Sequence, residues 1–291
     1  MADQEKNSVL GKKPRVSDII LLGLIYLCAI FAVALIAGII LYVAYRGIGV
    51  INWTFLTTAP SFLKGTVGIG GNIINTLLMV VLTLLIATPV GVGSAIYLNE
   101  YAKEGRFTRI VEFTTETLSG IPSIVFGLFG NMVFYSLWGY SILTGSLTLA
   151  IMVLPLITRN TQEALKTVPE SYRTGALGMG ATKWYMIRTV LLPSAMPGIV
   201  TGIILAIGRI VGESAALLFT GGSDNSLLKS ITDLPGKLLS SGGTLTIALY
   251  LYMSKAEYDT AFGIALVLIV IVLLINFATK ALTAKFDVTK Q

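Results

Sequence analysis

Long uncharged, mostly apolar stretches alternate along the chain with short charged ones. The uncharged runs are Ile19–Tyr45, Gly65–Asn99, Thr117–Thr158, Thr189–Gly208 and Thr260–Thr279. They lack the strict alternation of half-buried strands and are too long and too uniformly apolar for barrel strands, so they predict helices. Each run is long enough to supply the roughly 20 apolar residues that a membrane-crossing helix needs. The second begins with a Gly-rich loop and yields one helix, about Asn72–Leu98. Within it, Thr88-Pro89 and the nearby Gly91 and Gly93 predict a kink. The third carries a Gly/Ser-rich break near Gly139–Ser146 and yields two helices, about Leu118–Trp138 and Thr144–Thr158. The next helix starts near Pro193 and is expected to continue to about Thr220, across Arg209 and Glu213. With Ile19–Tyr45 and a last helix at about Thr260–Leu282, the pattern predicts an all-α polytopic membrane protein with six transmembrane helices. Residues 1–18 form a polar N-terminal segment and 19–291 a single transmembrane domain. The first apolar run is too long for a signal-peptide core and reads as a retained helix.

Composition narrows the function classes. Of 291 residues, 54% are hydrophobic and only 12% charged, too few polar groups to clothe a soluble globule and too many apolar ones for a disordered chain. There is no His and a single Cys, Cys28, which excludes a Cys/His zinc site, a disulfide framework and His-based acid–base chemistry within the chain. The net charge of +6 reflects basic residues held on one side of a bilayer rather than nucleic-acid binding. Fifteen of the 21 Lys and Arg fall on the segments that share a side with the N-terminus, five fall on the other side, and Arg209 lies within a span. This bias predicts both termini in the cytoplasm.

Two connections are long enough to act. The inner loop 159–189 holds Thr167-Val-Pro-Glu170, the pattern of a capping box, which predicts a short helix over about Val168–Leu177, a break at Gly178 and Gly180, and a second helix over about Ala181–Leu191. Tyr172, Leu177, Met179, Trp184, Tyr185 and Ile187 are more apolar than a solvated connector requires and predict a docking surface. The outer loop 221–259 mixes Gly/Ser turns with Leu245–Met253, which is too short to span and is expected to be interfacial or re-entrant. Gly175–Thr182 has the glycine spacing of a phosphate-binding loop, but Ala181 stands where the essential Lys belongs, so no ATP site is read here. If ATP drives transport, the ATPase is another subunit.

The intramembrane charges carry the most chemistry. Read as one helix, Arg209 and Glu213 stand four residues apart on a shared face. A charge at mid-bilayer costs roughly 2.5–3.5 kcal/mol and belongs in a protein interior or polar cavity. Two readings stay open: a self-satisfied structural pair, or a substrate site in which the planar Arg209 fork meets an oxyanion and Glu213 orients it. Counted from Pro193, Arg209 lies about 24 Å along a helix, beyond the middle of the bilayer core. Gly208 and Gly212 beside it permit close approach of another helix, and Gly198/Gly202 suggest packing alone. Ser119-Gly-Ile-Pro-Ser123 is a weaker candidate, offering Ser119, Ser123 and helix-start amides to an anion; it reads equally as an ordinary helix start with Pro in its first turn.

The segment Thr174-Gly175-Ala176-xxx-Gly180, followed by Val190-Leu-Leu-Pro193, resembles the EAA motif of ABC importer permeases, with Thr174 in place of the motif Glu and Gly175 in place of its first Ala. Gly208-Arg-Ile-Val-Gly-Glu-Ser-Ala-Ala-Leu-Leu-Phe-Thr-Gly221, Ser119–Gly130 and Gly91–Tyr101 resemble phosphate-specific ABC permeases, the first more the A-type than the C-type subunit. The resemblance implies a type I ABC importer permease fold and a multi-pass subunit of the plasma or inner membrane. It implies a coupling loop carrying Glu170, Tyr172, Arg173, Thr174, Gly175, Ala176, Gly180, Lys183 and Pro193. It also implies a homologous C-type permease, two ATPase subunits that hold the ATP and Mg, and an extracytoplasmic phosphate-binding protein. The chain itself would bind no cofactor and catalyse no reaction. The competing readings are a permease for another oxyanion such as sulfate or molybdate, an ion-coupled anion carrier with Glu213 as proton relay, and a non-transporting membrane scaffold.

Overall fold

The computed structural model describes residues 16–60, 66–103, 105–228 and 230–286. Residues 1–15, most of the expected N-terminal segment 1–18, lie outside the described residues. The helices are α1 (Val16–Gly47), α2 (Trp53–Thr57), α3 (Gly70–Ile96), α4 (Arg106–Ser119), α5 (Ser123–Trp138), α6 (Ile142–Lys166), α7 (Glu170–Gly178), α8 (Lys183–Met186), α9 (Leu192–Gly212), α10 (Ala215–Leu218), α11 (Leu234–Leu238), α12 (Leu245–Ser254) and α13 (Tyr258–Phe286). No strand occurs among the described residues, and the all-α expectation holds. The chain divides into two compact units, residues 1–46 and 47–291. The described part of the first is α1, a helix apolar on all sides.

Among the described residues, five helices are long and apolar enough to cross a membrane, and the pair α4 and α5 makes a sixth if counted as one span. That pair corrects the expected single helix Leu118–Trp138. Its halves meet at a 106° bend across Gly120-Ile121-Pro122. Pro122 has extended ψ of 138° and lacks the N–H that would continue the α4 ladder, so α5 starts afresh after it. The expected Thr144–Thr158 helix is longer at both ends. Ser141 caps α6 by accepting from the Thr144 amide at 3.1 Å, and the helix runs on to Lys166, so Arg159 belongs to it and not to a loop. The second span passes through Pro89 and ends in a π turn, Tyr97–Tyr101. A second π turn, Ile187–Leu191, joins α8 to α9, so the fifth span is continuous from Lys183 to Gly212.

The core of the second unit is built around α6. Leu149, Met152, Val153 and Ile157 are buried against Met79 and Ala87 of α3 and Ala206 and Ile210 of α9. Helices in lipid gain little from hiding apolar surface, so close contact between small residues matters more. A Cβ at Gly198 would stand 2.6 Å from Ala164 Cβ, and one at Gly202 would stand 2.6 Å from Asn160 Cβ. These two glycines therefore set the approach of α9 to α6. A second cluster joins the inner ends of α6 and α9 to the loop helices through Leu165, Val168, Ala176, Met186, Ile187 and Leu191. A third packs α12 onto α13 through Leu245, Ala248, Ile264 and Val267. α12 is thus a short packed helix of the connection 221–259.

Candidate functional site

Two places collect the chemistry that the sequence singles out: the end of α9 and the inner loop. At the first, the structure corrects the expected Arg209–Glu213 pair. α9 stops at Gly212, and Glu213 has extended backbone (φ −80°, ψ 126°). Gly212 is a poor helix former, and the Glu213 carboxylate competes for a backbone amide: its Oε1 accepts from the Ala216 N–H at 3.1 Å and starts α10. The Glu213 carbonyl accepts from Thr246 Oγ1 at 2.8 Å, which brings α12 to the same point. Glu213, 9% exposed, is an anchor of the local backbone and shares no helix face with Arg209. The expected helix through Thr220 is replaced by this turn and α10.

Arg209 sits in the last turn of α9, half-buried, where a cation also suits the helix C-terminus. Among the described residues none forms an ion pair or side-chain hydrogen bond with it. Beside it runs an uncovered stripe, Pro197, Thr201, Leu205, Gly208 and Gly212, exposed within this chain. Nothing lies within 4 Å of a Cβ built on Gly208 or Gly212. The other candidates, Ser119 and Ser123, fall on different helices. Ser119 donates to the Thr115 carbonyl at 3.1 Å and lines a cavity of about 200 Å³ with Glu112, Thr115, Glu116, Arg159 and Gln162. Two carboxylates against one guanidinium, itself bound to Glu163 at 3.0 Å, make that cavity a poor anion site.

The inner loop forms its two short helices close to where they were expected, but not by the expected cap. Thr167 ends α6, donating its hydroxyl to the Ala164 carbonyl at 2.8 Å, and Pro169 precedes the first residue of α7. The Glu170 carboxylate pairs with Arg173 at 3.1 Å instead of reaching back. α7 closes with a Schellman arrangement: Gly180 N donates to Leu177 O at 3.0 Å and Ala181 N to Ala176 O at 3.1 Å. Gly180 has φ +86°, the left-handed value such an ending requires. Thr182 then caps α8, accepting from the Tyr185 amide at 3.3 Å.

Of the six apolar residues expected to be displayed, Tyr172, Leu177, Met179, Trp184 and Tyr185 are exposed, Met179 at 86%. Ile187 is the exception: it opens the π turn and is fully buried in the inner cluster beside Met186. Of the EAA-like residues, Thr174 and Gly175 are exposed and Ala176 is buried against that cluster. Pro193 is the second residue of α9, following the π turn.

Arg173 does not face outward. Its side chain is 14% exposed and donates to Leu165 O (2.9 Å), Val168 O (3.0 Å) and Glu100 Oε1 (3.2 Å). Lys183 donates to the Glu100 carbonyl and stands 4.9 Å over the Tyr101 ring. Glu100 was missed by sequence reasoning; the signal available was an acidic residue ending a long apolar run. At the other end of α3, Asn72 and Asn75 donate to Gly243 O at 2.9 and 3.1 Å, and Thr76 Oγ1 accepts from the Leu245 amide at 3.0 Å. Lys237 is buried and held by Ser226 O at 2.8 Å and Asp224 at 3.8 Å. Burial pulls its ammonium below the ordinary lysine range, and Asp224 partly opposes this.

The described residues thus place a half-buried Arg without an ion-pair partner beside an open helix face, and a loop that displays aromatic and sulfur side chains. Residues 87–288 match the model of the binding-protein-dependent transport system inner membrane component. The chain belongs to this family. The chain is 38% identical over 210 residues to a probable ABC transporter permease protein, YqgI, of Bacillus subtilis (strain 168), covering 72% of this chain and 71% of that one. It is 37% identical over 241 residues to phosphate transport system permease protein PstA 2 of Mycobacterium tuberculosis (strain CDC 1551 / Oshkosh), covering 81% and 77%. Its fold is similar to that in a crystal structure of a bacterial alginate ABC transporter in complex with an alginate pentasaccharide-bound periplasmic protein (TM-score 0.68, 16% identity, covering 94% of this chain and 96% of that one). The chain is therefore a multi-pass membrane protein with the type I ABC importer permease fold.

Proposed function

We propose that this chain is the A-type permease subunit of an ATP-driven phosphate importer. It would form half of the translocation path and pass the work of a separate ATPase to that path. The observation that carries the proposal is Arg209 beside the open stripe of α9, with no ion-pair partner among the described residues, in a chain related to phosphate transport permeases. Arg209 lies 17 residues beyond Leu192, about 26 Å along the helix axis, which favours the outer half of the bilayer if the N-terminus is cytoplasmic. Phosphate loses hydration on entering that layer, and the guanidinium fork replaces part of it with charge-assisted hydrogen bonds. Because the Glu213 carboxylate is turned to the Ala216 amide, it does not occupy the Arg209 fork, which is available to an anion.

The partners follow from the surfaces left open. A second, homologous permease of the C type covers the Pro197–Gly212 stripe. Two ATPase subunits, which carry ATP and Mg, receive Tyr172, Leu177, Met179, Trp184 and Tyr185. An extracytoplasmic phosphate-binding protein docks on the outer connection 221–259. Both termini are cytoplasmic, as the Lys/Arg bias favours. The test is radiolabelled phosphate uptake by membrane vesicles holding the assembled complex, with and without ATP, in competition with sulfate and molybdate. ATP-dependent uptake inhibited by unlabelled phosphate alone is expected. Uptake driven by an ion gradient without ATP, or displaced by sulfate or molybdate, would overturn it.

A further inference from the structure

We propose that Glu100 is the positioning residue that locks the inner loop to the second span, so that movement of the loop is delivered to α3. The proposal rests on the importer reading above and names the connection through which coupling acts. The Glu100 side chain is 5% exposed and lies in the π turn that ends the span. Its Oε1 accepts three donors: Asn99 Nδ2 at 2.8 Å, Arg173 Nη2 at 3.2 Å and Arg173 Nε at 3.3 Å. The same Arg173 binds carbonyls at the end of α6 and at the loop's start, together with the Glu170 carboxylate. The backbone carbonyl of Glu100 takes Lys183 from the other loop helix. One residue therefore grips both α7 and α8, which carry the exposed apolar surface.

Val92 and Ile96 at this end of α3 meet the loop through apolar contacts with the inner cluster. Such contacts are non-directional and tolerate sliding. A buried, multiply hydrogen-bonded ion pair does not, because losing one partner leaves the other charge stranded. Two π turns, Tyr97–Tyr101 and Ile187–Leu191, flank the loop. Single π turns inside helices are rare and recur at functional sites. At its far end the same span is fastened by Asn72, Asn75 and Thr76 to the outer connection. α3 is thus tied to loops on both sides, and Glu100 is the polar tie on the inner one.

The experiment uses the complete purified complex in vesicles with its binding protein and radiolabelled inorganic phosphate. It compares wild type, Glu100→Gln and Glu100→Ala for phosphate moved per ATP hydrolysed. Glu100→Ala should assemble and hydrolyse ATP, with phosphate per ATP falling at least about tenfold and hydrolysis no longer stimulated by the loaded binding protein. Glu100→Gln keeps an acceptor for Arg173 and should fall in between. An unchanged ratio in Glu100→Ala overturns the proposal. So does loss of assembly in both variants with a normal ratio in what remains, since that is a purely structural role. A wild-type complex showing no ATP-driven, binding-protein-dependent uptake overturns the importer reading itself, and the proposal with it.

Discussion

Replacing Gly180 by Val tests whether the shape of the inner loop matters, separately from its side chains. Gly180 is the left-handed residue that closes α7, with φ +86°. Nothing lies within 4 Å of a Cβ built there, so a substitution strains the backbone and clashes with no neighbour. Holding an L-residue in this region costs roughly 1–2 kcal/mol, and a β-branched one sits at the upper end or above. That cost lowers the population of loops with the correct turn by roughly 5–30-fold. The turn sets the angle between α7 and α8, so the apolar surface they share is lost as a unit. Gly178 supplies the control: it ends α7, has no positive φ and is equally open, so Ala there should be neutral or stabilise by roughly 0.5–1 kcal/mol. ATP-dependent phosphate uptake, normalised to membrane-inserted protein, should drop by about that 5–30-fold for Gly180→Val and stay at wild type for Gly178→Ala, with Gly180→Asn milder than Val. Equal uptake by Gly180→Val and Gly178→Ala would refute the reasoning.

Arg209→Lys keeps the charge but loses the fork and should cut uptake sharply while the complex assembles, and Arg209→Gln should abolish uptake; uptake and assembly assays together check this. Glu213→Leu should lower stability by about 1–3 kcal/mol through the stranded Ala216 amide, and adding Arg209→Leu should not restore it; rescue in thermal unfolding of the double variant would show that the two residues act as a pair. A Glu257→Cys protein in a Cys28→Ala background should be labelled by an impermeant maleimide from the outer side of intact cells, and labelling only after permeabilisation would invert the topology. Because burial lowers the native pKa of Lys237, the folded state holds fewer protons there than the unfolded one. Thermal stability in detergent should therefore rise as pH climbs from that lowered value toward 10.5, and Lys237→Met should flatten the rise.

The amino-acid sequence by itself determined the membrane helices, because lipid forces each apolar run to satisfy its backbone internally. It determined that the inner loop breaks at Gly180, because a left-handed helix ending selects glycine locally. It marked Arg209 as an intramembrane charge, and it marked five residues of the displayed apolar surface, but it counted Ile187 with them, which packs into the inner cluster. The tertiary structure decided what those residues do to one another. α9 ends before Glu213 because that carboxylate finds the Ala216 amide and its carbonyl finds Thr246, 33 residues away. Gly120 and Pro122 read along the chain as an ordinary helix start, and the 106° bend there accompanies the packing of α5 against α6 and α10. The Glu100–Arg173 pair joins residues 73 apart, and neither position carries a local pattern that names its partner. Helix formation and turn chemistry are short-range and are written along the chain. Which buried polar groups meet is settled by the packing of distant segments, where an unpaired group is costly enough that only the assembled structure selects its partner.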